Sequence, residues 1–375
     1  MLYVVPLESF SLRGRRLILM NMRKAMAVLF VLMGLTSALA VRSLAGKPPT
    51  GGAVDFAKEP ACSSLVPASQ GGPAPKNPDL IVVRWLGVSN EEVAFRHNIF
   101  LIDAWYDRTP PARPLGFDRT AVKKATAIFI DHAHGDHIAD VPFVAKQTGA
   151  PVYGAPISIE TVEKFGVPAT QTKTVTGKGG ELLTFDDVTV EPVLALHHDD
   201  TPEFRRLHMV GLGDARDKLL EAGGEKRTPE QEAQFRNQMA VGSMDQRVIT
   251  EGTIDYLFTF PTGYKIYYHD AAGTPTEYEK AAAARIGSPD VGIFAYSDPL
   301  PDNAVKITMM MVDLFKPHIY MPIHHDDVGG TRFETPVEPI AMAIRDKYPD
   351  ARTISPLYRT PVCLDIKTKQ VLVGP

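Results

Sequence analysis

Six residues, His132-Ala133-His134-Gly135-Asp136-His137, carry four potential metal ligands. They come just after Ala125-Thr-Ala-Ile-Phe-Ile130, an apolar run that reads as a fully buried strand. Packing is a poor explanation for so many imidazoles and carboxylates in that position, because each needs a polar partner there. His132 and His134, two apart on an extended turn, can point to one side and hold one cation. Asp136 and His137, past the flexible Gly135, can face a second cation nearby. Neutral imidazole and carboxylate suit zinc and related divalent metals. An isolated His-x-His is more often a surface pair, whereas His-x-His-x-Asp-His at the end of a buried strand is a specific signal. The chain has 11 histidines but only 2 cysteines, so a Cys-rich zinc module is excluded and histidine supply matters more.

The segment from Asp79 to Pro375 is long enough for one large core. Strand patterns run over Leu80–Leu86, Glu92–Arg96, Asn98–Asp103, Glu181–Phe185, Val188–Leu196, Tyr256–Phe260, Tyr264–Tyr268 and His318–Ile323. Helices are expected over Ile138–Gln147, Ser158–Phe165 and Val305–Phe315, with Met309-Met310-Met311 as helix core. Strand meanders interspersed with helices imply a layered α/β domain. No fixed short repeat is visible. A polar insertion at about 199–254 interrupts the strands. In it, Thr228-Pro229-Glu230-Gln231 has an N-cap, a first-turn proline and a capping-box glutamine, which predicts a helix from Pro229 to about Met239. A second helix is expected from Thr201 towards Ala222. The insertion reads equally as a lid over a site or as a solvated excursion.

The histidine motif resembles that of the metallo-β-lactamase fold hydrolase superfamily, and the resemblance extends over about Asp79 to Gly330. It implies a four-layer αβ/βα sandwich and two divalent ions, zinc first, with manganese or iron as alternatives. Its remaining ligands stand at later strand ends. His197 after Leu196, Asp270 after the Tyr264–Tyr268 strand and His324 after Ile323 match those places. The neighbours His198 and His325 are the rival choices, and His269 stands where the family usually has glycine. By this resemblance His132, His134 and His197 would hold one ion, Asp136, His137 and His324 the other, and Asp270 would bridge them. A hydroxide between the ions would attack a carbonyl carbon or phosphorus, with Asp136 and Asp270 as the catalytic carboxylates. His198, His325 or a carboxylate behind the ligands are candidates for the general acid. The ligand order is similar to the branch with ascorbate 6-phosphate lactonase and N-acyl phosphatidylethanolamine phospholipase D, which implies a lactone, ester or phosphodiester substrate, small molecule or lipid. His134 separates the chain from di-iron oxidoreductases of the same fold. That reading and a non-catalytic, metal-stabilised binding protein are the alternatives. His97, His208 and His318 read as surface or satisfied core positions.

Residues 1–40 hold five basic residues against one acid, so the overall charge of −4 conceals a body of −8. That balance argues against a nucleic-acid partner. Met22-Arg23-Lys24, an apolar run and Thr36-Ser-Ala-Leu-Ala40 have the layout of a signal peptide. The uncharged run over 25–41 is also near the lower limit for a membrane anchor. The expectation is export: a periplasmic or secreted body, or one held at the inner membrane by 25–41, with membrane contact only through that segment. Residues 41–78, with seven prolines and five glycines, read as a tether. An exported chain permits a Cys62–Cys363 bridge.

Overall fold

Strands β1 (Leu80–Trp85), β2 (Glu91–Phe95) and β3 (Asn98–Ile102) form an antiparallel meander whose every residue is buried. Runs such as LIVVRW and NIFLI, apolar on both faces, demand cover on both sides. Parallel strands β4 (Ala127–Phe129), β5 (Val152–Gly154) and β6 (Thr172–Thr174) extend the meander on one side. On the other side stand β14 (Val362–Asp365) and β15 (Val371–Val373), completing an eight-stranded sheet ordered β15-β14-β1-β2-β3-β4-β5-β6. A second sheet holds β7 (Leu183–Phe185), β8 (Val188–Ala195), β9 (Thr253–Thr259), β10 (Lys265–His269), β11 (Val291–Ala295), β12 (Ile319–Ile323) and β13 (Arg352–Thr353). Its order is β13-β12-β11-β10-β9-β8-β7. It follows the same plan, with antiparallel pairs up to β10 and parallel neighbours beyond. This computed structural model describes residues 55–110, 112–199, 227–297, 301–326 and 335–374. The leader, the helix expected from Thr201 and His208 lie outside them. Among the described residues no helix is long and apolar enough to cross a membrane.

The two sheets face each other across an aromatic core. Phe100 and Phe129 of the first meet Phe258 of the second at ring separations of 5.7 and 5.5 Å. Helices α2 (Val141–Thr148) and α3 (Pro156–Lys164) add Val144, Ala145 and Val162 to the same core. Helices α6 (Glu277–Ile286), α7 (Pro301–Phe315) and α8 (Glu338–Lys347) cover the outer face of the second sheet around Tyr267, Phe294 and Tyr320. Met311 is buried there, as its place in the apolar face of α7 requires. The fold is thus helix, sheet, sheet, helix: an α/β sandwich of four layers.

Two expectations change. The helix expected over Ile138–Gln147 is two: α1 (Gly135–Ile138) and α2. Asp140 separates them because its carboxylate accepts the Tyr106 and Asp107 backbone N–H groups at 2.6 and 2.9 Å. The tether expected over 41–78 is no tether from residue 55 onward. Three 3₁₀ turns, Phe56–Lys58, Pro60–Cys62 and Ala68–Gln70, lie against β1 and β2 and bury Ala61, Cys62 and Ala68. The backbone of the second and third is held by a fully buried ion pair. Glu92 accepts the Ala68 and Ser69 N–H groups at 2.8 Å, and Arg84 donates to the Ala61 carbonyl at 2.8 Å. Cys62 is disulfide-bonded to Cys363 of β14. Helix α4 (Pro229–Met239), by contrast, forms at the expected residues with its capping box, Gln231 N–H to Thr228 Oγ1 and Thr228 N–H to Gln231 Oε1. Helix α5 (Gln246–Glu251) then leads into β9.

Candidate metal centre

The ends of β4, β8, β10 and β12 converge. His132 and His134 leave β4, His197 follows β8, Asp270 follows β10 and His324 follows β12. Asp136 and His137 ride on α1, whose single turn starts at Gly135 because Met239 and Gly242 approach too closely for a side chain. A Cβ at Gly135 would lie 2.5 Å from Met239 Cα, and one at Gly242 would lie 2.3 Å from Gly135 N.

Two three-residue groups result, each with donor atoms within 4.8 Å of one another: His132, His134 and His197, and Asp136, His137 and His324. Asp270 lies between them. Its Oδ2 is 3.8 Å from His137 Nδ1, and it lines one pocket of about 80 Å³ with His132, His197 and His324. All seven residues singled out in the sequence are therefore brought together. Neither rival choice joins these groups. His198 Nδ1 faces the Asp199 carbonyl at 3.3 Å, and His325 stacks on Trp85 with ring centres 4.5 Å apart. His269 is turned to Asp255 at 2.9 Å and Glu279 at 3.5 Å, a buried cluster behind the strand. His97 pairs with Asp186 at the surface, and His318 is exposed.

The electrostatics divide the groups. Burial, and then repulsion among the imidazoles, holds His132 and His197 well below the usual histidine pKa. Burial pulls His134 down to about 4. These three are neutral, the form that ligates. In the second group burial opposes charge on Asp136, but the nearby His137 and His324 imidazoles, the latter 3.7 Å away, outweigh it and keep this carboxylate ionised. Burial raises the Asp270 pKa, and burial followed by repulsion from Asp270 and Asp103 raises that of Asp131.

These residues fit a pair of divalent cations. His132 Nε2 and His134 Nδ1 face each other at 3.0 Å, close to the roughly 3.3 Å edge of a tetrahedron of zinc–nitrogen bonds. Asp270 Oδ2, His197 Nδ1 and His324 Nδ1 are buried without a hydrogen-bond partner among the described residues. Asp103, Asp131 and Asp270 crowd a buried region where carboxylates repel, the setting that a bound cation relieves.

Supporting residues were not visible in the sequence. Asp103 Oδ2 accepts from His137 Nδ1 at 2.8 Å, and its Oδ1 accepts the Asp131 N–H at 3.0 Å. Ser89 Oγ lies 2.9 Å from the same His137 nitrogen, and Asp131 bonds His132 Nδ1. A carboxylate on the far imidazole nitrogen fixes ring direction and tautomer. Each is a single residue in an ordinary strand or turn, so no local pattern marks it; the only signal was Asp131, adjoining the motif. The other pocket walls are Ala271, Ala272, Ala295, Ser297 and Ile307. Helix α4 packs beside α1 rather than over it, with Phe235 and Met239 against Trp105 and Ala139, and Gln238 bonded to Thr109 at 2.8 Å.

Comparison with known proteins agrees with this geometry. A family model described as a beta-lactamase superfamily domain matches residues 98–219. A UPF0173 metal-dependent hydrolase of Cupriavidus necator is 24% identical over 246 residues, 65% of this chain and 73% of that protein. Another, of Pyrobaculum calidifontis, is 36% identical over 116 residues, 31% of this chain and 50% of that protein. Among solved structures, Igni18, a metallo hydrolase from the archaeon Ignicoccus hospitalis, superposes with a TM-score of 0.50 at 14% identity, covering 77% of this chain and all of that one. At that identity the likeness concerns the fold.

Proposed function

We propose that this chain is a metal-dependent hydrolase of the metallo-β-lactamase superfamily, an exported, dinuclear enzyme that cleaves an ester or lactone. The carrying observation is the pair of separate three-donor groups with Asp270 between them. His132, His134 and His197 would hold one ion and Asp136, His137 and His324 the other, with Asp270 shared. Bound divalent ions, zinc first among them, lower the pKa of a water and offset charge on a substrate oxygen. The protein's own groups do the rest. Asp136, kept ionised by His137 and His324, accepts a hydrogen bond from the attacking water and orients it. Asp103 and Ser89 hold the His137 ring from behind. His198 is taken as the general acid because its ring centre is 5.2 Å from that of His197, whereas His325 is stacked on Trp85 and the carboxylates behind the ligands, Asp103 and Asp131, are bonded to His137 and His132.

The substrate reading rests on the pocket wall. Ala271, Ala272, Ala295 and Ile307 are suited to an uncharged apolar group beside the scissile carbonyl, and the Ser297 side chain adds a polar edge. Export is supported by the basic leader with its apolar run and by the Cys62–Cys363 disulfide, a bond that persists in oxidising compartments.

The test combines metal analysis with a panel of lactone, ester and phosphodiester substrates. Close to two equivalents of divalent metal per chain are expected, with turnover of lactones or esters. One equivalent overturns the dinuclear reading, and turnover of phosphodiesters alone overturns the substrate reading. His134→Ala should reduce turnover by at least about 10³-fold with an unchanged circular dichroism spectrum; unaltered turnover contradicts its assignment.

A further inference from the structure

The turn Gly87–Asn90 between β1 and β2 is distant in sequence from every candidate ligand, yet it reaches several of them. The Val88 carbonyl accepts the His324 backbone N–H at 2.8 Å, and Ser89 lies against His137. Tyr268, two residues before Asp270, donates its hydroxyl to the Ser89 carbonyl at 2.8 Å.

Val88 and His324 share an unusual backbone. Their φ angles are +50° and +58°, in the left-handed region that side chains disfavour. Such a conformation is disfavoured for a residue with a side chain and persists only where the surroundings over-determine it. Here the two strained residues hold one another. His324 donates its N–H to the Val88 carbonyl, while the Val88 N–H donates to Asp326 Oδ1 and Oδ2 at 3.0 and 3.2 Å. Asp326 is gripped in turn. Arg108 reaches its Oδ2 at 2.5 Å, with both side chains 1% exposed, and the Tyr358 hydroxyl donates to the same oxygen. Arg108 and Tyr358 are also bonded to each other at 2.9 Å.

We infer that Asp326, locked by Arg108 and Tyr358, is a positioning residue for the His324 side of the metal centre. Its carboxylate keeps the Val88 turn left-handed, and that turn sets the backbone from which His324 projects. Removing the carboxylate strands the Val88 N–H and leaves Arg108 buried beside a weaker acceptor. The turn can then relax towards ordinary φ, and its carbonyl no longer aims at the His324 N–H. His132, His134 and His197 do not depend on this turn. The inference rests on the proposed reading of His324 as a ligand.

The test is site-selective metal affinity. The full chain is stripped of metal and titrated with Co²⁺, followed by absorption and calorimetry. Wild type, Asp326→Asn, Tyr358→Phe and His324→Ala are compared. In Asp326→Asn the second equivalent should weaken by about 10–100-fold, with the first unchanged within about twofold. Tyr358→Phe, which removes one hydrogen bond, should show the same selectivity to a smaller degree, and it carries the test should Asp326→Asn not fold. General loosening of the fold would weaken both equivalents alike. Equal weakening, or no weakening, in Asp326→Asn overturns the inference while His324→Ala still loses the second equivalent. If His324→Ala keeps both equivalents, the ligand reading itself falls.

Discussion

Glu91 is fully buried on β2, and neither of its carboxylate oxygens has a hydrogen-bond partner among the described residues. Burial, then repulsion from Glu92, raises its pKa well above the usual 4.5. The folded protein therefore holds a proton that the unfolded chain releases once the pH passes about 4.5. The sign follows: this group's contribution to stability is fully present below that pH and is lost as the pH rises through the folded pKa. Glu91→Gln, which cannot ionise, should remove that loss. Its advantage over wild type should be small near pH 4.5 and grow to about 1–3 kcal/mol at pH 8. Urea melts at several pH values would check this, and parallel stability curves for the two proteins would refute it. At this scale the sequence was most informative for the metal motif itself. His132, His134, Asp136 and His137 are neighbours in sequence, so their grouping needs only one strand end. Glu91 and Asp103 were silent, because an acid at the end of an apolar strand reveals its role only through what lies across from it.

At the scale of elements, α1 is a single turn and cannot fix its own direction. The close approach of Gly135 and Gly242 and the bond from Ser243 N–H to the Ala133 carbonyl at 2.7 Å supply that direction. Gly242→Ala inserts a methyl group 2.3 Å from Gly135 N. The cost should be about 1–3 kcal/mol, with a parallel fall in metal affinity, measurable by thermal melts and metal titration. Unchanged affinity would show that α4 is not a support for the motif. The capped start of α4 was legible because a capping box is written in four consecutive residues. Its seat beside α1 was not, since two glycines 107 positions apart give no joint signal in sequence. The buried Arg84–Glu92 pair makes a similar connection between elements, holding the 3₁₀ turns at 60–62 and 68–70 on β1 and β2. Glu92→Ala should destabilise by about 3–5 kcal/mol, because Arg84 is left buried and uncompensated. It should also expose residues 56–70 to proteolysis in the native state. A variant that melts and resists protease like wild type would contradict this.

For the folded body as a whole, the Cys62–Cys363 disulfide joins residues 301 positions apart and ties the first described turns to β14 near the end of the chain. Reduction, or Cys62→Ser, should cost about 2–5 kcal/mol in the chain-entropy picture. A melting temperature independent of reductant would contradict that. The fold class was legible because the strand patterns are strong and the motif sits at a strand end. Short strands such as β5, β6 and β13 were missed because two or three residues are too few to show a period. By itself the sequence determined the donor types, their place at the ends of β4, β8, β10 and β12, and locally encoded features such as the α4 cap. Only the tertiary structure decided which member of the His197–His198 and His324–His325 pairs faces the centre. It also decided which carboxylates stand behind the ligands and that residues 55–78 belong to the body. The reason is physical: neighbouring side chains at a strand end diverge, and which one turns inward depends on backbone angles, such as the left-handed φ of His324, that contacts from distant segments impose.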